Sequence, residues 1–285
     1  MTTFETFADT GRKAVSSRRH KAVSSRRQLR LPSLSRDVLL PYLLPAVLVL
    51  VWQTGSSIGW ISDRIMPSPA AVLAAFWEAA SSGALANDIA VSGARALAGL
   101  IVGGSIGFLL GLANGVSKLS EQLTDTTLQM LRTIPHLALI PLVILWFGIG
   151  EEAKLFLTSL GVLFPIYLNT YHGVRNVDRD LLEMGRIYGM SGWSLFRKVI
   201  FPGALPSIFV GLRYGLGIMW LTLIVSESIA ASSGIGHMAN NAREFMMTDV
   251  VVLALLIYAA LGKLADVVAR ALERRALAWN PVYQK

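Results

Sequence analysis

Six stretches of this chain are apolar over lengths that suit the interior of a lipid bilayer: Val38–Ile58, Ala94–Val116, Leu128–Ile149, Ala153–Tyr171, Ile208–Ile229 and Val250–Val267. A helix crossing the hydrocarbon core needs about 20 predominantly apolar residues. In lipid every backbone N–H and C=O must find its partner inside the segment, so such runs form helices. The expected fold class is an all-α polytopic membrane protein with about six transmembrane helices. Composition agrees: only 15% of the 285 residues are charged and 53% are hydrophobic, whereas soluble domains carry about 25% charged residues. The chain has no cysteine, which excludes disulfide frameworks and thiolate metal sites.

The formal charge of +8 is unevenly placed, and its placement argues for a membrane rather than for nucleic acid. Nine of the 26 basic residues fall between Arg12 and Arg36, where KAVSSRR occurs at Lys13–Arg19 and again at Lys21–Arg27. This tail has almost no apolar periodicity and reads as a solvated, disordered cytoplasmic arm. SRRQLR (Ser25–Arg30) faintly resembles a twin-arginine export signal, but no small-residue cleavage site follows it and several spans do. Further basic residues lie after the fourth run (Arg175, Arg179, Arg186, Arg197, Lys198) and after the sixth (Arg270, Arg274, Arg275, Lys285). The opposite loops carry only Arg64, Lys154 and Arg243, with Arg95 at a boundary. Because basic loops stay on the cytoplasmic side, both termini are expected inside.

Within the spans the signals concern packing. Gly99, Gly103, Gly107, Gly111 and Gly115 recur at every fourth residue, and Gly211 and Gly215 repeat the spacing. Glycines four apart line one helix face and admit a neighbouring backbone. Pro135, Pro141 and Pro165 are expected to kink the third and fourth spans. In the first external loop, Ser68 and Pro69 start a short interfacial helix carrying Phe76 and Trp77. No G-x-x-x-x-G-K-[ST] or H-E-x-x-H pattern occurs, and His20, His136, His172 and His237 are scattered. Nothing points to an enzyme, a metal or a cofactor held by this chain. Arg213, Glu227 and Lys263 are the few charged groups near membrane depth. Their scarcity weakens the rival reading, an ion-coupled secondary transporter.

Between the fourth and fifth runs lies DLLEMGRIYGMSGWSLFRKVIFPGALPS, Asp180–Ser207. Asp180 stands three residues before Glu183 in the spacing of a capping box. GMSG (Gly189–Gly192) breaks the helix, Ser191 is placed to cap a second piece, and Pro202 is expected to end it. Leu195, Phe196, Val199 and Ile200 form an apolar face. Two readings stay open on these residues: a helix pair lying on the lipid surface, and a docking element for a cytoplasmic partner.

The stretch resembles the EAA loop of ABC importer permeases, E-A-A-x3-G-x9-I-x-L-P. Glu183, Met184 and Gly185 occupy the first three positions, Gly189 the glycine, and Val199, Phe201 and Pro202 the end. Leu128–Gly150, Leu163–Arg179 and Asn240–Val267 are similar to the nitrate/sulfonate/taurine branch of that family, nearest to its aliphatic sulfonate permeases. The resemblance implies a type I importer permease (MetI-like) fold in a bacterial inner membrane. It divides the chain into a tail (1–36), a first helix with an external helix (37–87), a core (88–270) with a coupling loop (175–206), and a C-terminal tail (271–285). It implies a permease homodimer, two cytoplasmic ATPase subunits that bind ATP and magnesium, and a periplasmic binding protein. Glu183, Met184, Gly185, Gly189, Leu195, Phe196 and Pro202 would then form the ATPase-coupling surface, with Leu195 and Phe196 filling the ATPase groove. Asn169, Thr170, Tyr171, Trp220, Thr222 and Ser226, polar or amphipathic residues of the fourth and fifth spans, are the candidates for a sulfonate path. Taurine, nitrate or another small anion is the alternative cargo.

Overall fold

A computed structural model describes residues 36–62 and 65–280. The expected basic tail therefore lies outside the described residues except for Arg36. Contacts divide the chain into two units, one ending at Leu50 and one beginning at Val51. The first unit contributes the start of helix α1 (Arg36–Ser57).

Every regular element described in the second unit is a helix. At the end of α1, Trp52 Nε1 donates to the Pro67 carbonyl at 3.0 Å and Gln53 Oε1 accepts from Ala70 N at 3.2 Å. These bonds hold the start of α2 (Pro69–Ser81), whose N-terminus is capped by Ser68 Oγ as expected. Helix α2 buries Val72 and Ala75 in a cluster with Ile235, Leu253 and Tyr258, and leaves Phe76 and Trp77 exposed.

The long helices are α3 (Ala84–Val116), α6 (Glu151–Arg175), α9 (Phe201–Ala230) and α11 (Thr248–Ala276). Each is long and apolar enough to cross a membrane. The apolar segment at the end of α1, Tyr42–Ser57, is shorter. Helix α3 starts ten residues before the run expected from hydropathy, because Asp88, Ser92 and Arg95 find polar partners inside the fold.

Helix α6 is the axis of this unit. Helix α3 runs parallel to it, with glycines 99, 103, 107, 111 and 115 facing residues from Thr158 to Val174. A β-carbon at Gly103 would overlap the Ser159 carbonyl oxygen, and one at Gly107 the Leu163 carbonyl oxygen. Backbones touch there, which is the close approach that small residues permit in lipid. On the other side α9 runs antiparallel to α6, with Gly211 against Pro165 and Asn169 and Gly215 against Ile166 and Val162. Helix α6 continues through Pro165 as one helical segment.

The third expected span is not one helix. Helix α4 (Lys118–Thr133) ends two residues before Pro135, a 3₁₀ turn covers His136–Leu139 and α5 (Ile140–Phe147) follows, the piece His136–Phe147 lying at 79° to α4. Ile134 is extended (ψ 121°), as a residue before proline prefers, and Pro135 has no amide to continue the ladder. Pro141 instead starts α5. Among the described residues, four long helices and one bent pair have the length and composition of spans, and α1 lies over the first expected run, so the six expected runs are all helical and the third is bent.

Candidate functional site

Between α6 and α9 the chain forms a short helical hairpin, α7 (Arg179–Ile187) and α8 (Gly192–Leu195). The N-cap of α7 is Asp178, whose Oδ1 accepts from Asp180 N at 2.9 Å. Asp180 therefore lies inside the first turn, and the expected Asp180–Glu183 capping box does not form. The helix ends with Gly189 at φ +76°, with Gly189 N on the Arg186 carbonyl and Met190 N on the Gly185 carbonyl, at 2.9 and 3.0 Å. This is a Schellman closure, and its left-handed residue requires glycine. Ser191 precedes α8 in extended conformation but makes no side-chain cap bond.

Leu195 is turned back into the hairpin and is only 8% exposed. A β-carbon at Gly185 would come within 2.7 Å of Leu195 Cδ1, so the glycine at the third EAA position makes room for it. Leu195 thus packs inside its own hairpin rather than offering itself to a groove, contrary to expectation. Phe196 is half-buried between Trp193 and Phe201, with ring centroids at 5.3 and 6.0 Å. The apolar surface is presented instead by Ile187 (85% exposed), Tyr188 (76%) and Trp193 (71%), beside Met184 and the exposed Glu183. Ile187, Tyr188 and Trp193 were not among the expected contacts, although their place around the glycine break is a sequence signal.

Pro202 does not end the second piece. Residues Phe196–Ile200 form a π turn that passes directly into α9, giving one helical segment from Gly192 to Ile229. Phe201 N donates five residues back to the Phe196 carbonyl, a one-residue register shift immediately before Pro202, which has no amide to donate.

The six candidate path residues do not converge. Asn169 Nδ2 donates to the Pro165 carbonyl at 2.9 Å, and its own carbonyl accepts from Ser207 Oγ at 2.7 Å. Thr170 is buried against Gly111, and Tyr171 donates to Glu121, which also pairs with Arg175. Trp220 stands edge-on to Tyr258 at 6.1 Å, facing α11. Ser226 bonds back to the Leu223 carbonyl at 3.1 Å. Thr222 lies beside His136, with Oγ1 and Nε2 2.9 Å apart. From Thr222, which faces Gly161, to Asn169–Tyr171 is eight to ten residues along α6, or about 12–15 Å.

A larger polar assembly sits at the other end of the helices. Glu227 of α9 is 1% exposed and accepts from Ser92 Oγ, Arg95 Nη1, Gly236 N and Tyr258 Oη at 2.7–3.0 Å. Arg95 also holds Glu151 with two nitrogens at 2.6 Å and the Ser233 carbonyl at 2.7 Å, while Lys154 reaches Glu151 at 3.0 Å. A buried carboxylate facing a guanidinium and three neutral donors is a satisfied anion, and it binds α3, α6, α9, α11 and α10 (Ile235–Glu244) together. The sequence showed each charge alone at the edge of an apolar run; the signal was that such a charge needs a partner. At the opposite end Asp125 accepts from Tyr167 at 2.6 Å, and Tyr167 accepts from Asn114 at 2.8 Å, joining α4 to α6 and α3. Among the described residues no group of three or more His, Asp or Glu is placed to hold a metal ion.

Residues 103–277 match the family described as binding-protein-dependent transport system inner membrane component. The chain is 62% identical over 243 residues to the aliphatic sulfonates transport permease protein SsuC of Escherichia coli, covering 85% of this chain and 92% of that one. It is 43% identical to the protein of the same name in Bacillus subtilis, over 85% of this chain and 88% of that one. The taurine transport system permease protein TauC of Escherichia coli is 36% identical, over 87% of this chain and 92% of that one.

Proposed function

Because the chain belongs to the family of binding-protein-dependent transport inner membrane components, we propose that it is the membrane permease subunit of an ATP-driven importer of aliphatic sulfonates. The observation that carries the cargo is the 62% identity to a sulfonate permease across 85% of the chain, against 36% to a taurine permease. We infer that two copies work with two ATPase subunits and a periplasmic binding protein, and that ATP and magnesium are held by the ATPase. The loop charges favour both termini and the α7–α8 hairpin on the cytoplasmic side.

The chain's own residues then supply a transmission. Met184, Ile187, Tyr188 and Trp193 form an apolar tip for an ATPase groove. Leu195 against Gly185 makes the hairpin a rigid body, and the π turn joins it to α9 without a break. Helix α9 is locked to α6 by Gly211 and Gly215, and α6 to α3 by the glycine ladder. When ATP closes the ATPase pair, movement of the hairpin carries all three helices, which switches access from one face of the membrane to the other. The bound subunit is not itself an enzyme.

The test is uptake by the whole complex in proteoliposomes, together with growth on an alkanesulfonate as sole sulfur source. Uptake is expected to follow ATP and to survive an uncoupler. Uptake that collapses with the ion gradient and ignores ATP overturns the reading, and preferential taurine uptake overturns the cargo.

A further inference from the structure

The break in the third apolar segment puts a histidine against α9 beside Gly161 of α6. After Pro135 the chain resumes at 79° with His136, whose Nε2 lies 2.9 Å from Thr222 Oγ1 on α9. Gly161 of α6 leaves the room: a β-carbon there would stand 2.9 Å from Thr222 Oγ1 and 3.4 Å from His136 Nε2. Thr222 is eight residues, about 12 Å, from the Ala230 end of its 30-residue helix.

The Thr222 contact is compatible with one tautomer in particular. A buried hydroxyl needs an acceptor for its proton. Ser226 and Ser228 return theirs to helix carbonyls, those of Leu223 and Ile224. Thr222 is fully buried, and among the described residues its only hydrogen-bond partner is His136 Nε2. With Thr222 as the donor, the neutral imidazole carries its proton on Nδ1. Among the described residues Nδ1–H has no acceptor. His136 is only partly buried, and Thr133, Ile134 and Pro135 next to it are exposed.

We propose that His136 is a specificity-determining contact for the sulfonate group in transit, donating from Nδ1 to a sulfonate oxygen, with Thr222 as the positioning residue that holds the tautomer. The proposal rests on the sulfonate-importer reading above. A sulfonate presents three weakly basic oxygens and no proton, so it asks for donors. An uncharged N–H meets that need without the tight hold of a fixed cation, as transit requires binding weak enough to leave. Arg95 and Arg213 are unsuited, being paired with Glu151 and Glu227 and with Glu273.

The test reconstitutes the complete complex and measures ethanesulfonate carried per ATP hydrolysed for His136→Asn, His136→Asp and Thr222→Val. Asn keeps an amide N–H near the Nδ1 position, whereas Asp, of the same size, offers only acceptors. His136→Asn is expected to keep at least about half of the wild-type ratio and His136→Asp to lower it about tenfold or more, the scale of one hydrogen bond to an ion. Thr222→Val keeps the volume, releases the tautomer and should lower the ratio about threefold. Asn and Asp variants that behave alike, whether active or inactive, overturn the proposal. If His136→Asp does not assemble, an unchanged ratio in Thr222→Val overturns it. A wild type that hydrolyses ATP but carries no sulfonate overturns the cargo reading itself, a different result from a His136→Asp variant that transports normally.

Discussion

At Gly103 the atom that a side chain would strike is the carbonyl oxygen of Ser159, part of the α6 backbone and unable to rotate aside. Gly93, ten residues earlier on the same helix, has nothing within 4 Å of the corresponding position. Gly103→Ala is therefore expected to push α3 off α6, costing about 1–3 kcal/mol as overpacking does. Gly93→Ala should be neutral or slightly stabilising, since alanine is the better helix former. Thermal unfolding of the detergent-solubilised permease measures both, and equal melting temperatures would refute the backbone contact. The four-residue spacing of the glycines was legible in the sequence, and so was their packing role. Which of them meet backbone and which meet a yielding side chain was not, because that depends on where α6 crosses. Glu227 teaches the complementary lesson: an isolated acid at the end of an apolar run became a buried hub only when Ser92, Arg95, Gly236 and Tyr258 arrived from three other helices.

At the scale of the element, the α7–α8 hairpin separates residues that hold it together from residues that it presents. Leu195→Ala leaves a hole beside Gly185 and should cost about 2 kcal/mol or more of permease stability. Ile187→Ala and Trp193→Ala remove exposed groups, so the melting temperature of the permease alone should change little while co-purification with the ATPase falls. Gly189→Val forces a branched residue to φ +76° and should lose both. If Leu195→Ala weakened ATPase association without destabilising the permease, the division between holding and presenting residues would be wrong. The sequence located this hairpin, its break and its glycine. It misassigned Asp180, Leu195 and Pro202, since cap, burial and helix end are decided by partners: Asp178 reaches the free amide, Gly185 has no side chain, and a π turn shifts the register immediately before Pro202.

For the whole molecule, the distribution of charge makes an orientation that can be tested without background, because the chain has no cysteine. Single Ile187→Cys and Phe245→Cys variants place a thiol at exposed positions at opposite ends of α9. In right-side-out vesicles a membrane-impermeant maleimide is expected to label Phe245→Cys at once and Ile187→Cys only after permeabilisation. The reverse pattern would invert the chain in the membrane and detach the hairpin from a cytoplasmic ATPase.

Apolar runs near 20 residues, the bias of lysine and arginine, and glycines at four-residue spacing are local properties, and by themselves they determined that this chain is a helical membrane protein with a polar hairpin between its fourth and fifth runs. Lipid demands self-satisfied backbones whatever the neighbours are, so no tertiary information was needed for that much. What the folded chain alone decided is where helices meet and which polar groups share a partner. Pro135 turned a span into a bent pair while Pro165 left its helix continuous. The six polar residues of α6 and α9 dispersed, and His136, unremarkable in the sequence, came to rest on Thr222. Hydrogen bonds and close packing act over a few ångströms between residues 86 and 135 positions apart, and only the crossing of helices brings such residues within reach.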